Sequence, residues 1–445
     1  MPPEAGRIKN TMMWNEPKET MDREQLRELQ SKRLVKTVER VYHNVPSYRK
    51  KMQEAGLELG DIQGIDDLYK LPFTTYEDLN AAYPFGLAAA PKSELVRVHA
   101  SSGTTGKPKI AVYTRRDIEI WSECAARCLS MAGITRDDII QVGYGYGLFT
   151  GGLGAHYGAE YLGALVIPMS TGNTKKMIDM MIDCGATAIT CTPSYLLHIA
   201  EDLQKSGLTD KIKLRTAICG AEPWTEEMRA SIEKQLHIKA FDIYGLTEVM
   251  GPGVAADCEY HKGLHIWEDH FLPEIIDPAT LKPLGEGQTG ELVITTLTKT
   301  GMPLLRYRTK DLTSIETSRC ECGRTSARIQ RFKGRTDDML IIRGVNVFPS
   351  QVEAALLTVE GTTPHYMIVV DRVNNTDTFE VQVEVDEDFF SDEVSKLENL
   401  SRQIHDRLRE SLGLNAKVSL VQPNALTHSD GKTKHVTDKR NLYRG

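Results

Sequence analysis

The chain has 445 residues, about three times an ordinary single-domain length, so two or three domains, or one large domain with an appendage, are expected. Hydrophobic residues at 40% and charged residues at 26% make an ordinary globular composition, which excludes disorder, collagen and a disulfide-rich miniature. Lys plus Arg number 54 against 61 Asp plus Glu, a formal charge of −7 with no long basic run, and nothing recommends a nucleic-acid surface.

Residues 1–21 are polar and mixed in charge, unlike a signal peptide. No stretch reaches the roughly 18 apolar residues needed to cross a bilayer, so a cytoplasmic protein with no membrane partner is expected. From Met21 to about Val45, Leu26, Leu29, Leu34, Val38 and Val41 recur at near-helical spacing until Pro46. Strand-like and helix-like runs then alternate from Asp117 to Tyr244. Strands are predicted at Ile139–Val142, Leu165–Ile167, Ala188–Cys191, Thr216–Cys219 and Ala240–Ile243, and helices at 117–132, 174–184, 194–206 and 225–236. Gly185 and Gly207 stand where helices end with positive φ. This alternation predicts a parallel sheet covered on both faces. Residues 260–330, with Gly285, Gly287 and Gly290 and the run Glu291–Thr296, read as an antiparallel addition.

Near residue 335 the pattern changes. Ser350 and Glu353 have the spacing of a capping box. Strands at Tyr366–Val370 and Phe379–Val385 flank the turn residues Asn374 and Asn375. A helix over about 392–412 and a strand at Lys417–Val421 follow. The predicted fold is α/β: a large N-terminal domain (1–334) with parallel sheets and a β-rich addition, and a small α+β C-terminal domain (335–445).

The sharpest chemical signal is Ser101-Ser102-Gly103-Thr104-Thr105-Gly106-Lys107-Pro108-Lys109. Its glycines free backbone N–H groups to approach anionic oxygens, while four hydroxyls and two lysines add donors and charge. It is not a P-loop, because Ser101 and Pro108 stand where that motif needs Gly and Ser or Thr. The stretch 144–154 combines aromatics with five glycines, letting backbone and the rings of Tyr144 and Phe149 approach a flat group closely. Its spacing excludes a dinucleotide fingerprint. Cys124, Cys128, Cys184, Cys191 and Cys219 stand singly in apolar-periodic segments and read as small buried residues. Cys258, Cys320 and Cys322 sit in polar sequence. With His261 or, preferably, His265 after the flexible Gly263, they make a Cys₃His set suited to structural Zn²⁺.

The 101–109 segment resembles the phosphate loop of the adenylate-forming superfamily, and five further pieces match in order. Gly220-Ala221-Glu222-Pro223 resembles the adenine-side loop, and Asp242-Ile243-Tyr244-Gly245-Leu246-Thr247-Glu248 the aromatic–Gly–x–Thr–Glu motif. Arg306–Asp311 is similar to the ribose segment, Gly334–Met339 to the interdomain hinge, and Ser429-Asp430-Gly431-Lys432 to the C-terminal lysine motif. Within the superfamily, 144–154, 263–269 and 341–350 are closest to the phenylacetate–coenzyme A ligase branch. The resemblance implies an ATP- and Mg²⁺-dependent aryl-acid–CoA ligase working through an acyl-adenylate. Its alternatives are a related adenylyltransferase using another acid or acceptor, and a non-catalytic nucleotide sensor. A homodimer would be an ordinary assembly for such an enzyme.

The roles implied are these. Ser101, Ser102, Gly103, Thr104, Thr105, Gly106, Lys107 and Lys109 hold phosphates. Gly220, Ala221, Glu222, Pro223, Asp242, Ile243, Tyr244, Gly245 and Arg335 line the nucleotide, while Asp311 takes the ribose hydroxyls. Thr247 reaches the α-phosphate, Glu248 holds Mg²⁺, and Lys432 bridges the attacking carboxylate and the α-phosphate. Tyr144, Phe149, Gly151, Ala221 and Ile243 form the acid pocket. Asp337 is the hinge about which the small domain rotates, and Gly344 keeps the coenzyme A path clear. Two positions depart from the pattern: Asp430 intervenes before Gly431-Lys432, with Lys434 a competitor, and Lys310 stands where glycine is common.

Overall fold

The computed structural model describes residues 13–101, 108–336, 340–343, 345–373, 376–385, 394–423, 425–426 and 435–440. The long N-terminal helix spans Arg23–Asn44, opened by Asp22, whose side chain accepts the Glu24 N–H. Its Leu34, Val38 and Val41 face the largest core.

The centre of the large domain is a nine-stranded sheet. Five strands run parallel, in the order Leu165–Ile167, Ile139–Val142, Ala188–Cys191, Thr216–Gly220 and Lys239–Leu246. The crossover helices Thr150–Leu162, Thr174–Asp183, Pro193–Lys205 and Glu226–Leu236, with Arg115–Met131 ahead of the first strand, cover its faces, because parallel neighbours need long crossovers. Beyond Lys239–Leu246 the sheet turns antiparallel through Gly251–Asp257, Leu264–Ile266, Arg328–Ile329 and Ile315–Glu316. The antiparallel addition therefore partly extends the same sheet. The rest is a separate antiparallel sheet of Phe271–Ile276, Gly290–Thr296, Tyr307–Thr313 and Gly334–Arg335.

The small domain has its own core, including Val352, Leu356, Ile368, Val381 and Ile404. Its sheet orders Lys417–Val421, Thr376–Val385, Thr362–Val373 and Val436–Asp438, with helices Pro349–Leu356 and Val394–Leu412. Asn374 and Asn375 lie outside the described residues. Ser350 does not open a capping box with Glu353. Pro349, which lacks an N–H, takes the first helical position, and the Phe348 N–H donates to Gln351 Oε1 at 3.1 Å. Ser350 Oγ instead donates to the Lys333 carbonyl at 3.2 Å.

Cys184 also corrects the reading. It is exposed, because it caps the end of Thr174–Asp183 just before Gly185 at φ +63°, while Cys124, Cys128, Cys191 and Cys219 are buried. No helix among the described residues is long and apolar enough to cross a membrane.

Helices Arg115–Met131 and Thr150–Leu162 approach so closely that a Cβ at Gly158 would lie 2.4 Å from Ala125 Cβ. Gly158→Val is expected to lower stability by about 3 kcal/mol through overpacking, read as a lower midpoint in denaturant unfolding.

Candidate active site

The site forms where the sheet changes from parallel to antiparallel, at the carboxyl ends of the central strands, the usual crevice for ligands in such sheets. Close backbone approach makes it possible. A Cβ at Gly220 would lie 2.3 Å from the Ile243 carbonyl oxygen, and one at Gly245 would lie 1.9 Å from that of Gly251. Ala221 adopts φ +71° beside them.

Above this edge stands the hairpin of Leu95–Ala100 and Ile110–Thr114. Its connection is closed at the base by two bonds. Ser101 N–H donates to the Lys109 carbonyl at 2.9 Å, and Lys109 N–H donates to Ser101 Oγ at 3.0 Å. Ser102, Gly103, Thr104, Thr105, Gly106 and Lys107 lie outside the described residues, as do Asp337, Gly344 and Lys432. Lys109 Nζ sits 3.4 Å from Glu248 Oε1 and 4.3 Å from the centre of the Tyr76 ring. Tyr307 OH is 3.4 Å from the same carboxylate oxygen. Thr247 Oγ1 meets Thr150 Oγ1 at 3.3 Å. Thr247, Glu248 and Lys109 thus share one patch.

A second group lies alongside. Tyr244 OH donates to Asp311 Oδ2 at 2.6 Å, and Arg335 donates to Asp311 Oδ1 at 2.8 Å. Burial raises the Tyr244 phenol well above its ordinary value, with Asp311 adding to the effect, so it stays a donor. The Tyr244 ring packs 4.5 Å from that of Phe332. In the ribose-like segment Asp311 faces this group, whereas the two arginines turn to other carboxylates. Arg306 turns to Glu274 at 2.8 Å and Arg308 to Glu291 at 2.5 Å. Lys310, where glycine is common in the superfamily, adopts φ +66°, a conformation glycine reaches without strain.

On the adenine-side loop, Ser194 Oγ donates to Glu222 Oε2 at 2.6 Å. The small domain meets the large one here. Leu357 packs against the core behind this edge. Burial pushes the Glu353 carboxyl up to about 8, with the Glu222 charge adding to it.

Tyr144 is buried and lines a small, partly open apolar cavity with Ala125, Thr190, Ile218, Ile243 and Pro252. A Cβ on Gly151 would lie 3.1 Å from Tyr144 Cβ, so Tyr144, Gly151 and Ile243 do come together. Phe149 remains 39% exposed, at the rim.

Sequence reasoning missed Tyr307, although it lies inside the ribose-like segment, and Lys299, for which no local signal exists. Burial pulls the Lys299 ammonium down to about 8, against the charges of Asp117 and Glu248.

Away from this site, Cys258, His265, Cys320 and Cys322 are all buried, with ligand atoms within 4.8 Å of one another. Cys258 Sγ lies 3.7 Å from Cys320 Sγ, and Cys322 Sγ 3.4 Å from His265 Nε2. Ser326 Oγ pairs with His265 Nδ1 at 3.0 Å, leaving Nε2 for the cluster. His261 does not join; its Nδ1 lies 2.7 Å from Asp257.

Asp242 carries a prediction of its own. Burial and the neighbouring Asp257 push its carboxyl up to about 7. The folded state therefore holds that proton more tightly than the unfolded chain, and stability is lost as pH rises from the ordinary aspartate range through about 7. Asp242→Asn removes this loss and should stabilise the nucleotide-free protein by about 3 kcal/mol at pH 8 and far less at pH 4, measured by denaturant unfolding at both pH values.

Comparison with known proteins follows the same outline. The family model described as AMP-binding enzyme matches residues 11–298, and that of the AMP-binding enzyme C-terminal domain matches 344–440. The chain is 48% identical over 444 residues to a phenylacetate-coenzyme A ligase of Thermus thermophilus, covering 96% of this chain and 100% of the relative. It is similar in structure to 2-hydroxyisobutyryl-CoA ligase in the postadenylation state, with a TM-score of 0.91 at 29% identity, covering 100% of this chain and 95% of that one. Against the same ligase in the thioesterification state, with equal coverage and identity, the TM-score is 0.71.

Proposed function

Because the chain belongs to the AMP-binding enzyme family, among its phenylacetate–coenzyme A ligases, we infer how the site described above performs that chemistry. The enzyme is an acid–thiol ligase that joins phenylacetate to coenzyme A using ATP, through an acyl-adenylate. The observation that carries the site assignment is the convergence of Lys109, Thr247 and Glu248 beside the Tyr244–Asp311–Arg335 group.

A carboxylate attacking the α-phosphorus must approach a polyanion, so the reaction needs cations and preorganised donors at the phosphates. Lys109 and the 101–109 loop supply them. Thr247 is the donor to the α-phosphate, and Lys432 brings its charge to the attacking carboxylate. The Glu248 carboxylate is a hard oxygen donor suited to Mg²⁺, which neutralises phosphate charge when bound. Asp311, an acceptor-only group held by Tyr244 and Arg335, takes the ribose hydroxyls. Gly220 to Pro223, Asp242, Ile243 and Gly245 pass the base between closely packed backbones. The aryl ring enters beside Tyr144, Gly151, Ala221 and Ile243, with Phe149 at the mouth.

The two superpositions compare this chain with one ligase in two states, at equal coverage and identity. The higher score against the postadenylation state, 0.91 against 0.71, supports a reading in which the parts of this chain sit as they do after adenylation. For thiol attack, the part beyond residue 334 turns about Asp337 and presents Gly344 along the pantetheine path.

The Cys258–His265–Cys320–Cys322 cluster holds a structural Zn²⁺. Its four ligand atoms lie close enough together to hold one ion, and three sulfurs with one imidazole nitrogen are the donor set that would suit zinc. Free, buried thiols of this kind suit a reducing cytoplasm.

Given ATP, Mg²⁺ and phenylacetate, the purified chain is expected to release diphosphate, and to form phenylacetyl-CoA and AMP only when coenzyme A is added. Lys432→Ala should abolish diphosphate release while nucleotide binding, followed by calorimetry, changes less than about threefold. Unaltered release would remove Lys432 from its role.

Elemental analysis should find one zinc per chain. Cys322→Ser should lose it and lower stability by several kcal/mol, the scale of a structural zinc.

A further inference from the structure

Lys299 is 1% exposed. Its ammonium donates to two successive carbonyls, those of Glu248 at 3.1 Å and Val249 at 3.0 Å. Nζ also lies 4.5 Å from the centre of the Tyr113 ring. Tyr113 OH lies 3.2 Å from the Thr247 carbonyl and 3.0 Å from the Met250 carbonyl. The four consecutive carbonyls 247–250 are thus held from below by one lysine and one tyrosine. Tyr113 is itself fixed by stacking on Trp121, with ring centres 5.2 Å apart, and Trp121 Nε1 donates to the Pro252 carbonyl at 2.7 Å.

Burying an ammonium is costly unless it is paired and hydrogen-bonded. Among the described residues no carboxylate lies within ion-pair distance of Lys299; Asp117 and Glu248 act on it from farther away. Oriented backbone dipoles satisfy its hydrogen bonds but leave its charge largely uncompensated in a low-dielectric interior. On the other side of that turn stand Thr247 and Glu248, the groups assigned to the α-phosphate and Mg²⁺.

We propose that Lys299 is a positioning residue for adenylate formation: it holds the Thr247–Glu248 turn in working shape and sets a fixed positive charge behind it. The proposal rests on the ligase reading above. Asp117 and Glu248 offset the ammonium only from a distance, and an anionic nucleotide would offset it further, so Lys299 serves the half-reaction that uses ATP. The later attack of a thiol on the acyl-adenylate depends on it much less, since diphosphate has left.

The test separates the two half-reactions in Lys299→Met, close in length but uncharged, and in Lys299→Gln, which keeps one donor. Adenylation is followed by diphosphate release. Thioester formation is followed from supplied phenylacetyl-adenylate and coenzyme A. In Lys299→Met, kcat for adenylation should fall about a hundredfold, the scale of a misplaced catalytic group. KM for phenylacetate and the thioester step should each stay within about twofold of the wild type. Lys299→Gln should show a smaller loss confined to the same half-reaction, and decides the matter if the Met variant does not fold. Equal losses in both half-reactions, no loss in either, or failure of both variants to fold would overturn the proposal and leave Lys299 a stability residue. If the wild-type chain releases no diphosphate with any arylacetate, the ligase reading fails first, and this proposal falls with it.

Discussion

A side chain on Gly245 would collide with the carbonyl oxygen of Gly251 at 1.9 Å, and on the missing atom depends the change of direction in the central sheet. Lys239–Leu246 pairs parallel on one side and antiparallel on the other. Only where the two backbones nearly touch can the chain reverse within the turn Thr247–Met250 and still keep Thr247 and Glu248 at the sheet edge. The same economy of atoms recurs at Gly220 against Ile243 and at Gly152 against Gly145. Backbone and flat ligand can approach there because side chains are absent.

Electrostatics complete what the backbone begins. Lys109 reaches Glu248 from the hairpin, Arg335 reaches Asp311 from a strand added to the second sheet, and Lys299 supports the turn from beneath. These cations come from sequence positions far apart: Arg335 lies in a strand, Lys109 immediately before one, and Lys299 in the connection after Gly290–Thr296. Groups held in this way need no rearrangement when charge develops beside them. Glu222 and Glu353 approach one another from the two domains, and the Glu222 charge adds to the burial that raises the Glu353 carboxyl.

The Cys₃His cluster serves a different end of the molecule. Arg324, close to Cys322 in sequence, donates to the buried Glu19 at 2.8 Å, and the Thr325 N–H donates to the Glu19 carbonyl. The N-terminal segment is thereby tied to the loop that presents two of the thiols. Arg127, joined to Asp269 at 2.9 Å and to Glu123 at 2.6 Å, extends this buried polar network into the first crossover helix. Buried charges of this kind are retained only when paired on several sides, and these are.

Periodicity was sufficient for the parallel strands and for four of the covering helices, because a segment that buries one face must repeat its apolar residues at that element's period; it did not show Thr150–Leu162, whose glycine-rich sequence weakens that repeat. Ordered motifs marked Lys109, the Thr247–Glu248 turn and Asp311, each inside a short contiguous run, and the fold brings Lys109 to Glu248 and Tyr244 to Asp311. Local sequence did not reveal that Pro349 starts its helix ahead of Ser350, that Cys184 faces solvent, or that His261 turns to Asp257 rather than to the thiols. Nor did it mark Lys299, which reads as one more polar residue between strands. Those outcomes are decided by what the rest of the chain folds over each group. Burial, ion pairing and the sharing of a carbonyl are properties of three-dimensional neighbours, and a linear pattern carries no record of them.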